Sequence, residues 1–273
     1  MKNIINVVVC YNNAKEVLNY AKELSKLNES DKLSLIVVIN AAKAEDIELL
    51  NTLSSEVSFH TLVVNPNENL GYMKGLMYGY EKYKESTNSI PDYAIMGNTD
   101  IEYEDTDFLV KLSNKEYSED TWCIGPSVFT KYTHNYDNPV ALERRSVQEI
   151  DKLLFRFSVL GGFYVWLARV KESLTKKRLE KLPSQYVYEV HGCMFILRGL
   201  FCEKLLEKPF KPLMYSEETY LAEMAYQNGK KVYYDADLEI IHLEHTSTSL
   251  VGNKKIAKYL LDSMRFIRNE FYS

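Results

Sequence analysis

Five short segments of the chain place side chains capable of acid-base, metal or phosphate chemistry at the ends of apolar runs. In Met96-Gly97-Asn98-Thr99-Asp100 an apolar strand runs into a carboxylate, an oxygen ligand that suits a hard divalent cation, Mg2+ or Mn2+. The plain alternative for Asp100 is a turn residue. Glu217 and Glu218 open an amphipathic segment. Glu218 shares a helix face with Leu221, Ala222 and Ala225, which turns its carboxylate inward as a candidate general base. Capping of the helix dipole is the competing use for two acids in a first turn. His242-Leu243-Glu244-His245 sets two imidazoles three positions apart, a spacing that can converge on a metal or a phosphate. Zinc is disfavoured, because neither an H-E-x-x-H helix nor a close cysteine pair accompanies them.

The remaining two, a pair of strand ends counted together and a glycine-bearing loop, read as ligand-binding. Val9-Cys10-Tyr11-Asn12 and Val38-Ile39-Asn40 end parallel-type strands, so Tyr11, Asn12 and Asn40 would project beyond the carboxyl edge of a sheet, where open α/β folds bind ligands. Loop initiation is the simpler use for the two asparagines. Asn69-Leu70-Gly71-Tyr72-Met73-Lys74-Gly75, followed by Gly79, combines glycines at a helix opening with a lysine able to reach a phosphate. A small-residue packing face would look the same. The segment lacks the G-x-G-x-x-G turn of dinucleotide binders, which argues against a dehydrogenase.

The elements that must position these groups alternate in type. Strands are expected at Ile4 to Cys10, Leu33 to Ile39, Phe59 to Val64 and Tyr93 to Met96. Between them, Val17, Leu18, Ala21, Leu24 and Leu27 recur at helical spacing behind Asn13, an N-cap with Glu16 placed to complete a capping box. Ile47 to Leu53 gives a shorter second helix and Gly71 to Lys84 a third. This is the pattern of a mainly parallel sheet covered by helices. From about Lys131 to Gln185 the alternation stops and a helix is expected from Val140 through Leu154, so this stretch reads as an insert. Tyr186 to Leu197 then reads as one long strand, Glu217 to Asn228 as a helix closed by Gly229, and Lys231 to Tyr234 and Leu238 to His242 as two short strands. Asn253 to Phe271 is an amphipathic helix with Ile256, Leu260, Met264, Ile267 and Phe271 on one face.

Composition narrows the function classes. The 273 residues are 46% hydrophobic and 26% charged, which sets aside disorder and fibres. A net charge of -5 argues against nucleic acid as a partner, since such domains carry a basic excess. Cys10, Cys123, Cys193 and Cys202 are too widely spaced for a zinc or redox motif and read as reduced, buried thiols of a cytoplasmic protein. The apolar start ends at Tyr11 without a cleavage site, as a buried strand would. Phe157 to Ala168, the longest apolar stretch, falls short of the ~20 residues that span a bilayer.

Taken in order, these pieces resemble family 2 glycosyltransferases of the GT-A fold, in particular the rhamnosyltransferase-like O-antigen and capsule branch. The likeness covers residues 1–126 and about 186–249. It rests on Val9-Cys10-Tyr11-Asn12, the N-x-G-x-x-x-G loop from Asn69 to Gly75, Asn98-Thr99-Asp100 at the D-x-D position, and Ile124-Gly125-Pro126. It continues through His191-Gly192-Cys193-Met194, the Glu217-Glu218 pair, Val232-Tyr233-Tyr234-Asp235 and His242. The resemblance implies an inverting transferase that moves a hexosyl or deoxyhexosyl group from a nucleotide-diphosphate-sugar donor to a glycan acceptor, lipid-linked, in surface polysaccharide (lipopolysaccharide or capsule) biosynthesis. Residues 1–126 would hold the donor, 127–185 form a variable insert, 186–249 supply the acceptor and catalytic half, and 250–273 the C-terminal helix, all in one continuous domain.

The same resemblance implies roles: Tyr11, Asn12, Asn40, Asn69, Gly71, Lys74, Asn98 and Thr99 toward the nucleotide sugar, His191 and Gly192 on the acceptor side, Asp100 and His242 at a Mg2+ or Mn2+ ion, and Glu218, paired with Glu217, as base. The chain departs from the family at Ile39, where an Asp contacts the base or ribose, at Asn98, where the first D-x-D carboxylate stands, and at Glu218, where the family has Asp. Peripheral contact with the inner membrane face would suit a lipid-linked acceptor, and Phe157 to Ala168 and the basic last helix could serve it. Core packing and a homodimer are the other uses of those surfaces.

Two alternatives stay open. A non-catalytic saccharide-binding protein of the same fold is compatible with Ile39 and Asn98. A sugar nucleotidyltransferase is disfavoured, because Tyr11 to Lys15 has no glycine for a phosphate loop.

Overall fold

The computed structural model describes residues 2–41, 43–174, 180–243 and 252–272. The chain opens with β1 (Ile4–Cys10), α1 (Ala14–Leu24), β2 (Leu33–Ile39), α2 (Ala44–Leu50), α3 (Leu53–Glu56), β3 (His60–Val64), α4 (Tyr72–Thr87) and β4 (Tyr93–Gly97). β5 (Ile101–Glu102), α5 (Phe108–Asn114), β6 (Thr121–Thr130), β7 (Asn135–Tyr136), α6 (Val147–Val159) and α7 (Gly162–Leu174) follow. β8 (Gln185–Val187), β9 (Met194–Arg198), α8 (Gly199–Glu207), α9 (Glu217–Gln227), β10 (Lys231–His242) and α10 (Asn253–Phe271) complete the described chain.

The strands form a ten-stranded sheet in the order β3-β2-β1-β4-β9-β6-β10-β5, with β7 on β6 and β8 on β10. β3, β2, β1 and β4 run parallel, as do β6 and β10, and β9 is inserted antiparallel between β4 and β6. Along β1 the side chains alternate between two cores. Ile5 and Val7 join Leu76, Tyr80, Phe201, Leu221 and Ile267 of α4, α8, α9 and α10, whereas Ile4, Val8 and Cys10 join Val17, Leu24, Leu53 and Leu112 of α1, α3 and α5. Burial on both faces explains why these strands read as continuous apolar runs.

Several local expectations change. Asn13 makes no capping bond: its Oδ1 accepts the Tyr11 N–H at 2.8 Å and its Nδ2 donates to Glu16 Oε1 at 3.1 Å. Glu16 therefore faces the Asn13 side chain and Thr99 instead of the helix backbone. The first insert helix begins later than expected, at Val147, because Ser146 and Glu149 form the capping box there while Ala141 bridges Glu189. The strand expected over Tyr186 to Leu197 is divided into β8 and β9, which pair with β10 and with β4 and β6 respectively. The two short strands expected over Lys231 to His242 are one strand, irregular between Asp235 and Glu239. There the buried Asp235 carboxylate accepts from Lys115 Nζ at 2.7 Å and Tyr117 Oη at 2.5 Å.

Candidate active site

Strand direction builds the site. β4 delivers Asn98, Thr99 and Asp100 past its carboxyl end, next to the point where the order of parallel strands reverses around β1. Because β9 is antiparallel to β4, with Gly97 opposite Met194, the residues that precede β9 lie beside those that follow β4, and Asn98 N–H donates to the Cys193 carbonyl at 2.8 Å. β10 meets β5 antiparallel with His242 opposite Ile101, and Leu243 N–H donates to the Asp100 carbonyl at 2.9 Å. Two strand reversals thus bring His191, Cys193 and His242 to Asp100.

His242 Nε2 stands 3.4 Å from Asp100 Oδ1, and both residues are buried. The His191 and His242 rings meet edge to face with centroids 5.7 Å apart. His191 Nδ1 accepts the Cys193 N–H at 3.2 Å, which fixes the neutral tautomer with its proton on Nε2. Burial, with His242 adding to it, holds the His191 ring well below the usual imidazole range, at about 4.

Glu217 and Glu218 lie at the start of α9, after two successive residues with left-handed backbone, Tyr215 (φ 71°) and Ser216 (φ 64°). Ser216 Oγ is tied to Ser263 Oγ of α10 at 3.0 Å. Glu217 is buried, and its Oε1 has no hydrogen-bond partner. Glu218 is half-buried and points at Gly192: a Cβ on that glycine would lie 3.3 Å from Glu218 Oε2. Burial raises both carboxyl groups above the usual range; the neighbouring Glu218 charge adds to the rise at Glu217. Gly192 follows His191 directly, so the acid pair and the Asp100–His242 pair flank one stretch of backbone. Of the four residues expected to converge, Asp100 and His242 are in contact, Asn98 joins the Cys193 backbone, and Glu218 reaches the same segment at Gly192.

The donor-side candidates divide. Thr99 Oγ1 donates to Glu16 and accepts from Asn13 Nδ2 at 3.1 Å, a network that joins the ends of β1 and β4. Tyr11 is 54% exposed and Asn12, also exposed, has a left-handed backbone (φ 57°), so both stand clear at the end of β1. Asn40 does not project outward as expected. It is buried, its Oδ1 accepts Leu70 N–H at 2.7 Å and its Nδ2 donates to the Gly71 carbonyl at 3.1 Å, so it shapes the loop beyond it. Asn69 Oδ1 accepts Gly71 N–H at 2.9 Å in the same loop. Gly71 (φ 81°) is required: a Cβ there would overlap the Leu213 carbonyl. Gly75 and Gly79 meet Val9, Val7 and Val38 of the sheet, which makes them packing positions, while Lys74 is half-buried in the first turn of α4. Ile39 is buried in the core.

Ion pairs between half-buried arginines and buried carboxylates hold this side together. Arg144 Nε and Nη2 donate to Glu223 of α9 at 2.9 and 3.0 Å, and Arg145 Nη1 donates to Glu189 at 2.8 Å. Glu223 also accepts from Tyr188 and Glu189 from Thr219. A cavity of about 480 Å³ lined by Glu23, Lys26, Glu102, Tyr103, Lys131 and His134 shares none of the site residues.

The architecture is shared with solved sugar-transferring enzymes. A mannosyltransferase from Pyrobaculum calidifontis, solved with GDP-Man and Mn2+, superposes with a TM-score of 0.57 at 11% identity over 90% of this chain and 58% of that one. The fold is that of GT-A glycosyltransferases. GalNAc-T7, solved with UDP, GalNAc and Mn2+, matches with a TM-score of 0.57 at 12% identity over 98% of this chain and 48% of its own. TarS of S. aureus, solved over residues 1-349 with UDP-GlcNAc, matches with a TM-score of 0.56 at 10% identity over 90% and 60% respectively. The chain therefore spans about half to three fifths of these GT-A chains. No family model matches the sequence, and no curated protein matches it; the likeness lies in the fold.

The residues present fit a divalent cation at the Asp100 position. Asp100 Oδ1 and His242 Nδ1 are buried atoms without hydrogen-bond partners, as unfilled coordination positions are. One donor atom from each of His191, Cys193 and His242 lies within 4.8 Å of the others; this nitrogen and sulfur set leaves out Asp100 and does not suit a hard Mg2+ ion, so the Asp100–His242 contact is the part that fits one. Cys193 at this locus was not anticipated, because no cysteine pair marks it; the signal was its place two residues after His191, on a strand paired with the Asp100 segment. Glu244 and His245 lie outside the described residues. All four cysteines are buried, with no disulfide among the described residues. Among those residues no helix is long and apolar enough to cross a membrane.

Proposed function

We propose that the protein is a glycosyltransferase that moves a sugar from a nucleotide-diphosphate donor to a glycan hydroxyl with inversion of the anomeric carbon. The observation that carries this reading is the placement of Glu218 against Gly192, across one loop from the buried Asp100–His242 pair, in a fold whose solved members hold GDP-Man, or UDP and GalNAc, with Mn2+.

In this reading the acceptor O–H loses its proton to Glu218 as its oxygen forms the new bond to the anomeric carbon, and the bond from that carbon to the diphosphate oxygen breaks. Inversion follows from a single displacement by one base. A half-buried carboxylate whose surroundings raise its affinity for protons suits that role near neutral pH, with the carboxyl of Glu217, raised by burial and by the Glu218 charge, beside it. Asp100 and His242 would hold the Mg2+ or Mn2+ ion, which supplies charge compensation for the departing nucleoside diphosphate. Thr99 and Asn98 would face the donor ribose, Tyr11 and Asn12 its base, and Lys74, with the Asn69–Gly71 loop that Asn40 shapes, its phosphates. His191, as an Nε2–H donor, and Gly192 would line the acceptor side.

The acceptor in this proposal is a lipid-linked glycan of surface polysaccharide synthesis, and the transferred sugar a hexose or deoxyhexose. The decisive measurement is release of nucleoside diphosphate from a panel of GDP-, UDP- and dTDP-sugars with Mn2+ or Mg2+. Slow, metal-stimulated release from one donor class supports the transferase. A donor that raises the melting temperature yet is never turned over, with or without glycan acceptors, sinks it in favour of a binding protein.

A further inference from the structure

α6 and α7 form a helical hairpin turned by Leu160 and Gly161, and its inner face is already used. Val165 packs with Ile256, Ala257 and Leu260 of α10, and Ile150 is buried in the main core. The outer face is also apolar. Phe155 (65% exposed), Val159 (61%), Leu160 (44%), Phe163 (56%), Trp166 (48%) and Leu167 (41%) run along it to the turn. The Phe163 and Trp166 rings stack, with centroids 5.6 Å apart, so the aromatic surface is continuous. Scattered single apolar residues need no explanation on a protein surface, but six along one hairpin do.

Charge distinguishes among occupants. From Lys152 to Lys171 the hairpin carries four lysines and arginines and no acid, in a chain where acids outnumber bases 38 to 33. Lys152 and Arg156 are exposed on α6. The hairpin turn abuts the start of α10, where a Cβ on Gly162 would lie 2.9 Å from the Lys254 nitrogen. Lys254, Lys255 and Lys258 are exposed there. An aromatic face bordered by cations of α6 and α10 matches the acyl and headgroup layers of an anionic bilayer, where tryptophan and phenylalanine enter the interface and lysines meet lipid phosphates. A second copy of the chain seated on the same face would set one basic border against another, because a two-fold interface pairs a surface with itself.

We propose that the α6–α7 hairpin is a docking surface for an anionic lipid bilayer, entered through Phe155, Phe163 and Trp166 and held by the lysines of α10. The surface stands on its own observations and does not depend on the reaction assigned to the site.

The test is co-sedimentation of the full chain with phosphatidylcholine vesicles and with vesicles containing phosphatidylglycerol, followed by the fluorescence of Trp166 in a Trp122→Phe background. Expected are binding to the phosphatidylglycerol vesicles that weakens with salt and a blue shift of Trp166 emission on binding. The doubles Phe155→Ser/Phe163→Ser and Lys254→Glu/Lys255→Glu should each lose at least tenfold in vesicle affinity, with the melting temperature unchanged because all four side chains are exposed. Absence of binding to either vesicle overturns the proposal, as does equal, salt-insensitive binding to both. A concentration-dependent dimer in sedimentation velocity that Phe155→Ser/Phe163→Ser dissolves would assign the face to a second copy instead.

Discussion

His242 Nε2 lies 3.4 Å from Asp100 Oδ1, with both side chains buried and each retaining a polar atom that no other group satisfies. A neutral protein pocket would leave two such atoms unpaired at a cost of about 1–3 kcal/mol each. A cation held by Asp100 and His242, as in the reaction proposed above, would offset that cost. Asp100→Ala and His242→Ala are therefore expected to abolish Mn2+ binding measured by calorimetry and to lower donor turnover by on the order of 100-fold or more. Unaltered Mn2+ affinity in both variants would remove the cation from this locus.

Glu218→Gln should retain donor and Mn2+ binding while transfer to acceptor falls by about 10²–10⁴-fold. The base acts when ionised, and burial raises its proton affinity. kcat/KM should accordingly rise with pH on its acid limb, with a midpoint above the ordinary glutamate range of about 4.3. An acid limb at that ordinary value, or one retained in Glu218→Gln, would assign the base elsewhere.

Glu217 gives a stability prediction with a defined sign. Burial lifts its folded proton affinity above the unfolded value of 4.5. Its contribution is fully present below that unfolded value and is lost as the pH rises through the raised folded one. Glu217→Gln, which keeps the shape and removes the titration, should raise the melting temperature relative to the wild type by a few degrees at pH 9 and by less at pH 5.5. Each kcal/mol is worth about 2–4 °C in a domain of roughly this size. Scans in which the difference is the same at both pH values would contradict it.

The Arg144–Glu223 pair is bidentate, and the Glu223 side chain is fully buried. Arg144→Ala removes the cationic partner of that carboxylate, which keeps its bond from Tyr188, and should cost about 1–3 kcal/mol, read as a lowered denaturation midpoint. Arg144→Ala combined with Glu223→Gln should recover part of the loss. A single variant as stable as the wild type would mean that the pair contributes nothing net.

Legibility in the sequence followed the reach of the interactions. β1, β2 and α10 begin and end where the apolar pattern says, because each is set by its own periodicity and by burial on a continuous face. The segment from Tyr186 to Leu197 reads as one strand by composition. It is divided because β8 answers to β10 and β9 to β4, two pairings invisible to local pattern. Asn13 and Glu16 carry a capping-box spacing, but Thr99, arriving from another strand, takes up the carboxylate. The same holds within the site. Asp100 and Glu218 are visible as acids at element ends, whereas the approach of Cys193 and the buried clasps of Arg144 and Arg145 depend on which strand is reversed.

The Gly71 backbone lies against the carbonyl of Leu213, and Tyr72 N–H donates to that same oxygen at 2.9 Å. That atom stands only a few residues ahead of Glu217 and Glu218, so the Asn69–Gly71 loop and the helix bearing the acids are stitched at one point. Displacing either drags the other. In the proposed reaction, loading of the first ligand and alignment for the second would be joined through this contact, and substitutions near Leu213 should be felt on both sides at once.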